Sequence, residues 1–521
     1  MPTRAARNDL VWCAALPLLF FVLGCLGVHS VGLSWDEDVQ RTYGQLILDY
    51  NASFGADTRA LGYRNLYLYG GFFDVLAGLV ERVVPSVRYD TLRHLLSLAF
   101  AGLGIFFTAR LAAFFAGARA GFVSALCLVL MPRYFGHAFF NPKDIPFAAL
   151  YICALYYLIE IVVALPAIRS TRAWLSFSLA SGLCLGVRIG GLLLFCFLFA
   201  GVAMFAARSL LFERGAPLRS RIVKIGMAVA ASLAACGLAI AVALVFWPYL
   251  RANPALRLLS ALTENSQFHW NFPILFRGVV MLGPEVGRSY LPVWLWISVP
   301  PFVWIGVILS ACLFRPRKPG FALTLLLLAL LFPPLYAIAQ GSPLYDGMRQ
   351  FLFILPPLAV LSGLGWYTAI GHWRRARTAV LVFFALSLAE PASWLARSHP
   401  YEYTYFSPVA GGLAQASHAY ETEYWGTSLR RAAEWFDAYR HKTGRDRLVV
   451  RWDGPWVKWE LLAPFLEDAS KVVQAKAHET ADLSLVFARS RLPGAWMSDP
   501  KILYHEQIVD GQVPFFVITQ P

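Results

Sequence analysis

In the stretch LSWDEDVQ, residues 33–40, three carboxylates (Asp36, Glu37 and Asp38) stand in a row just after the first long apolar run, 11–31. A carboxylate fixed at such a boundary can take the proton of a hydroxyl that attacks an electrophilic carbon. Other charges keep equally unusual company. RYFGHAFFNPKD, 133–144, offers Arg133, His137, Asn141, Lys143 and Asp144; Arg188 interrupts the apolar LGVRIGGLL; SPLYDGMRQF brings Tyr345, Asp346 and Arg349 to the start of a later apolar run. Arginine presents a planar fork of donors that suits phosphate oxygens. Within an apolar span it costs about 2.5–3.5 kcal/mol even on the lenient insertion scale, so Arg188 calls for an anionic partner.

The chain that must position these groups has 521 residues, 58% hydrophobic and only 15% charged, with a mean hydropathy of +0.56. Ordinary globular domains are roughly 25% charged. The composition is that of an all-α polytopic membrane protein. The net charge of +14 comes from 45 basic and 31 acidic residues, and the basic ones fall mostly in short loops between apolar runs, which argues for cytoplasmic loops and against nucleic acid. All eight cysteines lie in apolar runs without metal-ligand spacing, so neither a disulfide framework nor a zinc site is expected.

Runs of about 20 apolar residues predict about eleven transmembrane helices, at 11–31, 92–110, 118–133, 145–165, 173–189, 191–211, 224–247, 291–314, 321–339, 350–370 and 378–395. Basic loops at Arg4/Arg7, Arg110/Arg119, Arg169/Arg172, 208–224, 315–318 and 372–377 fall on every second side, which places the N-terminus in the cytoplasm and the C-terminus outside. No small-residue cleavage site follows Arg4 and Arg7, so the first run reads as a retained span. Two regions lie outside the spans. The first outer loop, 34–90, carries an amphipathic stretch in which Leu66, Tyr69, Phe72, Phe73, Leu76, Leu79, Val80 and Val83 recur at helical spacing while Asn65, Asp74, Glu81 and Arg82 sit elsewhere. Such a helix would lie in the membrane interface. The second region, 396–521, mixes a helix candidate from Thr427 with the strand-like RLVVRW, SLVFA and PFFVIT, and reads as a small extracytoplasmic α+β domain beside a membrane module of 1–395.

With these spans, Asp36, Glu37, His137, Asn141, Lys143, Asp144, Arg188, Asp346 and Arg349 map to one outer surface. Each has a plainer reading: loop acids, a helix cap at Asn141–Pro142, arginines that snorkel to headgroups, and belt aromatics in HWNFPILF, 269–276. Separately these readings leave the convergence unexplained. Transfer of a sugar from a lipid phosphate to an acceptor hydroxyl needs the whole combination: one carboxylate as base, and cations for a leaving group that is already a stable anion. A glycosidase-like second carboxyl acting as acid is then unnecessary. A secondary transporter would place its charges near the bilayer midplane and commonly shows repeats, which are absent by eye; a polysaccharide polymerase or ligase is a further alternative.

The chain resembles the GT-C glycosyltransferases, in particular the bacterial branch related to protein O-mannosyltransferases and to the aminoarabinose and galacturonic acid transferases of lipid A. The resemblance rests on WDE in the first outer loop, the interface helices of that loop, FFNPKD before the fourth span and GLCLGVRIGGL in the fifth. It implies a multi-pass hexosyl- or pentosyltransferase of the bacterial cytoplasmic (inner) membrane. The donor would be a polyprenyl-phosphate sugar, and the acceptor a glycan, glycolipid or protein. Asp36 would be the general base with Glu37 beside it, and Asp144 would orient the acceptor or a metal. Arg188 (where the family usually offers lysine), Arg349 and Lys143 would hold the donor phosphate, and His137, Asn141, Tyr345 and Asp346 would contact substrate. Some such enzymes use a divalent metal ion; no cofactor is certain. HPYEYTYFSPVAGG and ETEYWG, 399–412 and 421–426, resemble segments of the family without an assigned role, beyond a wall of the acceptor site.

Overall fold

The structure is a computed structural model that describes residues 4–521 apart from 169, 213–214, 216, 267–270, 317–319, 454–456, 477, 490–500, 509–512 and 521. The predicted contacts of His269 and Trp270, and the loop residues Arg169, Arg317 and Lys318, lie outside the described residues.

Each of the eleven apolar runs is helical, but not all cross in the same way. Among the described residues eight helices are long and apolar enough to span a bilayer, including Tyr89–Ala116, Asp144–Ala164, Leu218–Phe246, Gly320–Gln340 and Arg349–His372. Two further runs are bent pairs. Ala118–Val129 and Pro132–Phe140 meet at 71°, and Tyr290–Ser298 and Pro301–Leu313 at 103°. A proline begins the second helix of each pair; it supplies no N–H to the turn before it and so ends the ladder there. The run expected at 173–189 forms a helix of only 15 residues, Thr171–Leu185, which turns at Gly186 and delivers Arg188 in extended conformation. Asp144–Ala164 and Arg349–His372 are buried along most of their length and form the centre of the bundle, whereas Leu218–Phe246 and Arg374–Arg397 lie at its edge.

The first outer loop is held down by close backbone approach. A Cβ on Gly70 would lie 2.1 Å from the Gly186 carbonyl oxygen. Glycine alone allows the contact, and beside it Phe72 N–H donates to Gly186 O (3.0 Å) and Gly71 N–H to Phe246 O (2.9 Å). These contacts end the regular helix expected across residues 64–84. A helical turn spans Leu66–Leu68, the helix proper begins at Phe72 and ends at Val83, and Tyr69 is freed to face the site. The helix is also rotated relative to the expected wheel: Asp74 is buried against Arg93 (2.6 Å), while Leu79 and Val83 face outward.

The C-terminal region contains the predicted helix, Leu429–Thr443, and a five-stranded mixed sheet. After a short hairpin earlier in the chain (β1, Pro273–Phe276; β2, Val279–Leu282), its strands are β3 (Leu448–Asp453), β4 (Val472–Gln474), β5 (Leu483–Phe487), β6 (Ile502–Ile508) and β7 (Val513–Thr519). They are ordered β4-β3-β5-β7-β6, with β4, β3 and β5 parallel. The predicted runs supplied β3, β5 and β7; β4 is too short and β6 too polar to read as strands. Leu429, Phe436, Leu448, Leu485 and Ile518 form a core of their own, reached from the first outer loop by Leu33 and Trp35. Residues 399–428 instead pack on the bundle, where Tyr403 and Trp425 lie against His137 and Phe140.

Candidate active site at the mouth of the bundle

Chain segments far apart in sequence converge here. Trp35 opens a helix, Trp35–Ala52, whose first turn holds Asp36, Glu37 and Asp38. Its entry is pinned by Trp35 N–H donating to Trp425 O (3.1 Å) and by Trp35 Nε1–H donating to Tyr424 O (2.8 Å). Asp36 meets Arg349 at 3.2 Å, and Arg349 meets Asp346 at 3.1 Å. Arg349 also lies over the rings of Trp425 (4.6 Å) and Tyr345 (5.1 Å), so the guanidinium is oriented from both its edge and its face. Arg188 pairs with Asp144, and Arg489, just beyond β5, with Asp346. Lys143 stands over Tyr69 at 4.6 Å.

Two cavities flank these groups. One, of about 280 Å³, is lined by Asp36, Gln40, Arg64, Asn65, Lys458 and Arg489 with the Trp35 and Trp425 rings. The other, of about 260 Å³, is lined by Arg188 and by apolar groups including Phe147, Ile189, Leu344, Phe351 and Phe353. Tyr69, Lys143, Tyr345 and Arg349 line both, so the cavities share one wall.

Burial works against ionisation of Asp36, but the charges of Lys143 and Arg349 outweigh it and hold its carboxyl below the usual range. Burial pulls the Lys143 ammonium down, against the opposing pull of Asp36 and with added repulsion from Arg188 and Arg349. Lys143 and Arg349 in the shared wall, with Arg188 beyond it, thus surround the partly accessible Asp36 carboxylate, and an anion placed on the Arg188 side would be favoured.

The predicted residues separate into those at the cavities and those behind them. Asp36, Lys143, Arg188, Tyr345, Asp346 and Arg349 line a cavity. Glu37, Asn141, Asp144 and His137, expected at catalytic and substrate-contact positions, lie behind the cavity walls. The deciding quantity is accessibility: the Asp36 side chain keeps 28% exposure, against 1% for Glu37 and 3% for Asp144. Glu37 accepts from Ser34 N–H (2.7 Å) and Oγ–H (3.0 Å) in a capping box and pairs with His94 at 2.9 Å. Asp144 has one oxygen on Arg188 and the other on Asn141 Nδ2 (2.9 Å). Asn141 also joins His137 Nδ1 (3.0 Å) and accepts from Asp144 N–H (2.8 Å), and His137 reaches Tyr424 through Nε2 (3.4 Å). This group is a relay of supports that aims Arg188. The residues do not fit a divalent ion: among the described residues no three His, Cys, Asp or Glu side chains cluster, and Asp36, Asp144 and Asp346 are each committed to an arginine.

Sequence reasoning missed Lys458, Arg489, Arg64 and Tyr69 as lining residues, whereas Trp425 lies in ETEYWG, the segment expected to wall the acceptor site. ETEYWG carried the one usable signal. Glu423 accepts from the N–H groups of Trp425, Gly426 and Thr427 (3.2, 2.9 and 3.2 Å) and from Tyr403 Oη–H, and so folds the loop that presents Tyr424 and Trp425. Arg489 Nη1 closes the same loop through Tyr424 O (2.8 Å).

Fold and site together define a polytopic, mainly helical membrane protein with a charged site at one end of its bundle. No family model matches the chain, and no curated protein matches it in sequence. Among solved structures it is similar to ArnT from Cupriavidus metallidurans bound to undecaprenyl phosphate, with a TM-score of 0.51 and 13% identity over 99% of this chain and 98% of that one. The apo state of the same protein gives 0.48 at 14% identity over the same shares. The archaeal oligosaccharyltransferase AglB from Archaeoglobus fulgidus, in complex with an inhibitory peptide and a dolichol-phosphate, gives 0.46 at 13% identity over 90% of this chain and 69% of that one. At such identities the likeness to ArnT is one of fold.

Proposed function

We propose that this protein is a glycosyltransferase that moves a sugar from a polyprenyl-phosphate donor to an acceptor hydroxyl, with inversion, at the extracytoplasmic face of a bacterial cytoplasmic membrane. One observation carries the reading: two cavities share a cationic wall, with the accessible carboxylate Asp36 on one side and an apolar slot headed by Arg188 on the other. The apolar slot suits an isoprenoid chain, as its lining by Phe147, Ile189, Phe351 and Phe353 suggests. The donor phosphate would sit on Arg188, Lys143 and Arg349, and the acceptor would enter the Asp36 side. Binding of undecaprenyl phosphate by the similarly folded ArnT supports this placement.

In the proposed step the acceptor oxygen bonds to the anomeric carbon as the carbon–oxygen bond to phosphate breaks. Asp36 takes the hydroxyl proton and the phosphate leaves as an anion held by the three cations. Asp36 rests as the carboxylate, the form that can accept a proton, while Lys143 and Arg349, which hold it there, weaken it as a base until the phosphate draws on them. Asp346, bound by both Arg349 and Arg489, holds the two guanidiniums in place. Residues 1–395 are the membrane module, with the N-terminus cytoplasmic, and the region from 396 lies outside as its extracytoplasmic partner. The acceptor is a glycan, glycolipid or protein.

The test uses purified protein with a panel of labelled polyprenyl-phosphate sugars and membrane-lipid or glycan acceptors. Transfer of label with release of polyprenyl phosphate is the expected result. No transfer across the panel, together with solute uptake into proteoliposomes, would replace the reading with a transporter.

A further inference from the structure

A third cavity lies at the other end of the bundle. The Tyr89–Ala116 helix starts beside the site, where His94 meets Glu37, and its 28 residues carry it about 42 Å to this cavity, which its last residues, Phe115 and Ala116, help to line. The cavity is large, about 1050 Å³, and its polar lining is almost wholly basic: Arg119, Arg315, Arg374 and Arg377, with His372. No carboxylate is among the lining residues, and among the described residues none of the four arginines forms an ion pair. Phe115, Leu313, Phe314, Tyr367 and Ile370 supply apolar wall between them.

The placement of two of these arginines sharpens the point. Arg119 is in the first turn of the helix Ala118–Val129 and Arg377 opens Arg377–Arg397; neither first turn has an acid or a side-chain cap. A helix N-terminus already carries partial positive charge and favours anions, so these arginines, exposed to solvent like Arg315 and Arg374, add to the positive potential at the cavity. The cavity and its four guanidiniums without an acidic partner, of which Arg315 donates to Phe314 O (3.1 Å), carry the inference; the two helix ends reinforce it.

We propose that this cavity binds the phosphate-bearing head group of an anionic bilayer lipid, separate from the transfer site. A lipid is favoured over a free phosphate on three grounds. The volume is many times that of one phosphate. The apolar walls can take the start of acyl chains. One turn beyond Arg377, Leu381, Val382 and Phe383 are exposed and continue the apolar surface outward. Basic pockets between helix ends on the cytoplasmic side take lipids with more than one phosphate charge in this way. The inference does not depend on the proposed transfer reaction, and its readout is binding.

The experiment measures retention of tetraoleoyl cardiolipin, with phosphatidylcholine as reference, by native mass spectrometry of the purified full chain. The parent should retain cardiolipin selectively. Each Arg→Gln change among Arg119, Arg315, Arg374 and Arg377 should lower its affinity by about fivefold, and Arg→Lys changes should keep most of it. Changing the four arginines to Gln together should abolish selective retention, and the single variants keep the series readable if that fourfold variant fails to fold. Arg208→Gln with Arg219→Gln, which removes basic charge from neighbouring helix ends outside the cavity, should change nothing. Equal retention by parent and Gln variants would overturn the proposal. So would an equal loss on changing Arg208 and Arg219, which would mean general surface charge, or displacement by millimolar inorganic phosphate, which would mean a soluble anion.

Discussion

Asp36, Glu37 and Asp38 are consecutive, yet their surroundings give them different work. Asp36 faces a cavity and its cations, Glu37 is spent on Ser34 and His94, and Asp38 is partly exposed on the same first turn. Asp36→Asn keeps the shape and removes the basicity, so turnover of purified protein should fall about a hundredfold or more while donor binding by calorimetry persists. Glu37→Gln should instead lower thermal stability, by about 1 kcal/mol or more for the cap and the His94 contact, with turnover of the folded fraction near parental. A dead, fully stable Glu37→Gln would move the base to Glu37. Arg188→Lys should retain part of the activity and Arg188→Ala lose most of it, because the point charge matters first and the fork second; equal activity in Arg188→Ala and the parent would leave Arg188 no part in transfer. At this scale the sequence was informative about charge and poor about direction. Asp36 was legible from its position after a span. The spacing of Ser34 and Glu37 is itself a capping-box signature, and it assigns Glu37 to support. Nothing in the sequence marked Arg489 or Lys458, which reach the cavity only through the fold of the sheet region.

At the scale of elements, close approach and loop capping decide where the side chains point. In Gly70→Ala the new methyl would meet the Gly186 carbonyl, and neither backbone can retreat without moving Tyr69 or the turn that delivers Arg188. Donor affinity should therefore weaken more than tenfold, measured by calorimetry on protein that still inserts; unchanged affinity would mean that the loop tolerates displacement. The Glu423 loop has a pH signature. Burial raises the Glu423 carboxyl from 4.5 to about 7, against the opposing effect of Tyr403 Oη–H and the Trp425, Gly426 and Thr427 N–H groups. The folded state then binds the proton more tightly than the unfolded one, so this group's contribution to stability is fully present below about pH 4.5 and is lost as pH rises towards 7. Glu423→Gln should flatten that decline in thermal melts taken across the window; an unchanged slope would assign it to other groups. The apolar runs were legible because a bilayer demands about 20 apolar residues. The bends at Pro132 and Pro301 and the packing of 399–428 on the bundle were not, since these depend on tertiary contacts that hydropathy does not record.

For the whole molecule, the alternation of basic loops underlies the proposed orientation, in which the sheet region and the Asp36 cavity share the outer side. A phosphatase fused after Gln520 should be active and a cytoplasm-only reporter silent; the reverse would put the site on the cytoplasmic face. Deleting residues from 429 onward removes Lys458 and Arg489 from the cavity and one partner from Asp346, so a truncated protein that still inserts should lose transfer. Full activity there would reduce the C-terminal region to a bystander. The fold class was legible because hydropathy acts over the entire chain, whereas the joint between sheet and bundle is made by single residues such as Leu33, Trp35 and Arg489.

The wall common to the two cavities has a thermodynamic consequence. Arg349 cannot serve a phosphate on one side without loosening its hold on Asp36 on the other, so occupancy of the donor cavity should raise the proton affinity of Asp36 when it is needed. Such coupling is reciprocal: whatever factor the donor applies to acceptor affinity, the acceptor must apply to donor affinity. Titrating each ligand in the presence and absence of the other should return one common factor different from unity. Two independent affinities would mean that the shared residues divide the cavities without connecting them. Under the proposed transfer reaction, a site built this way would leave Asp36 held by Arg349 until a donor phosphate arrives, and would limit proton transfer to the moments when there is a sugar to move.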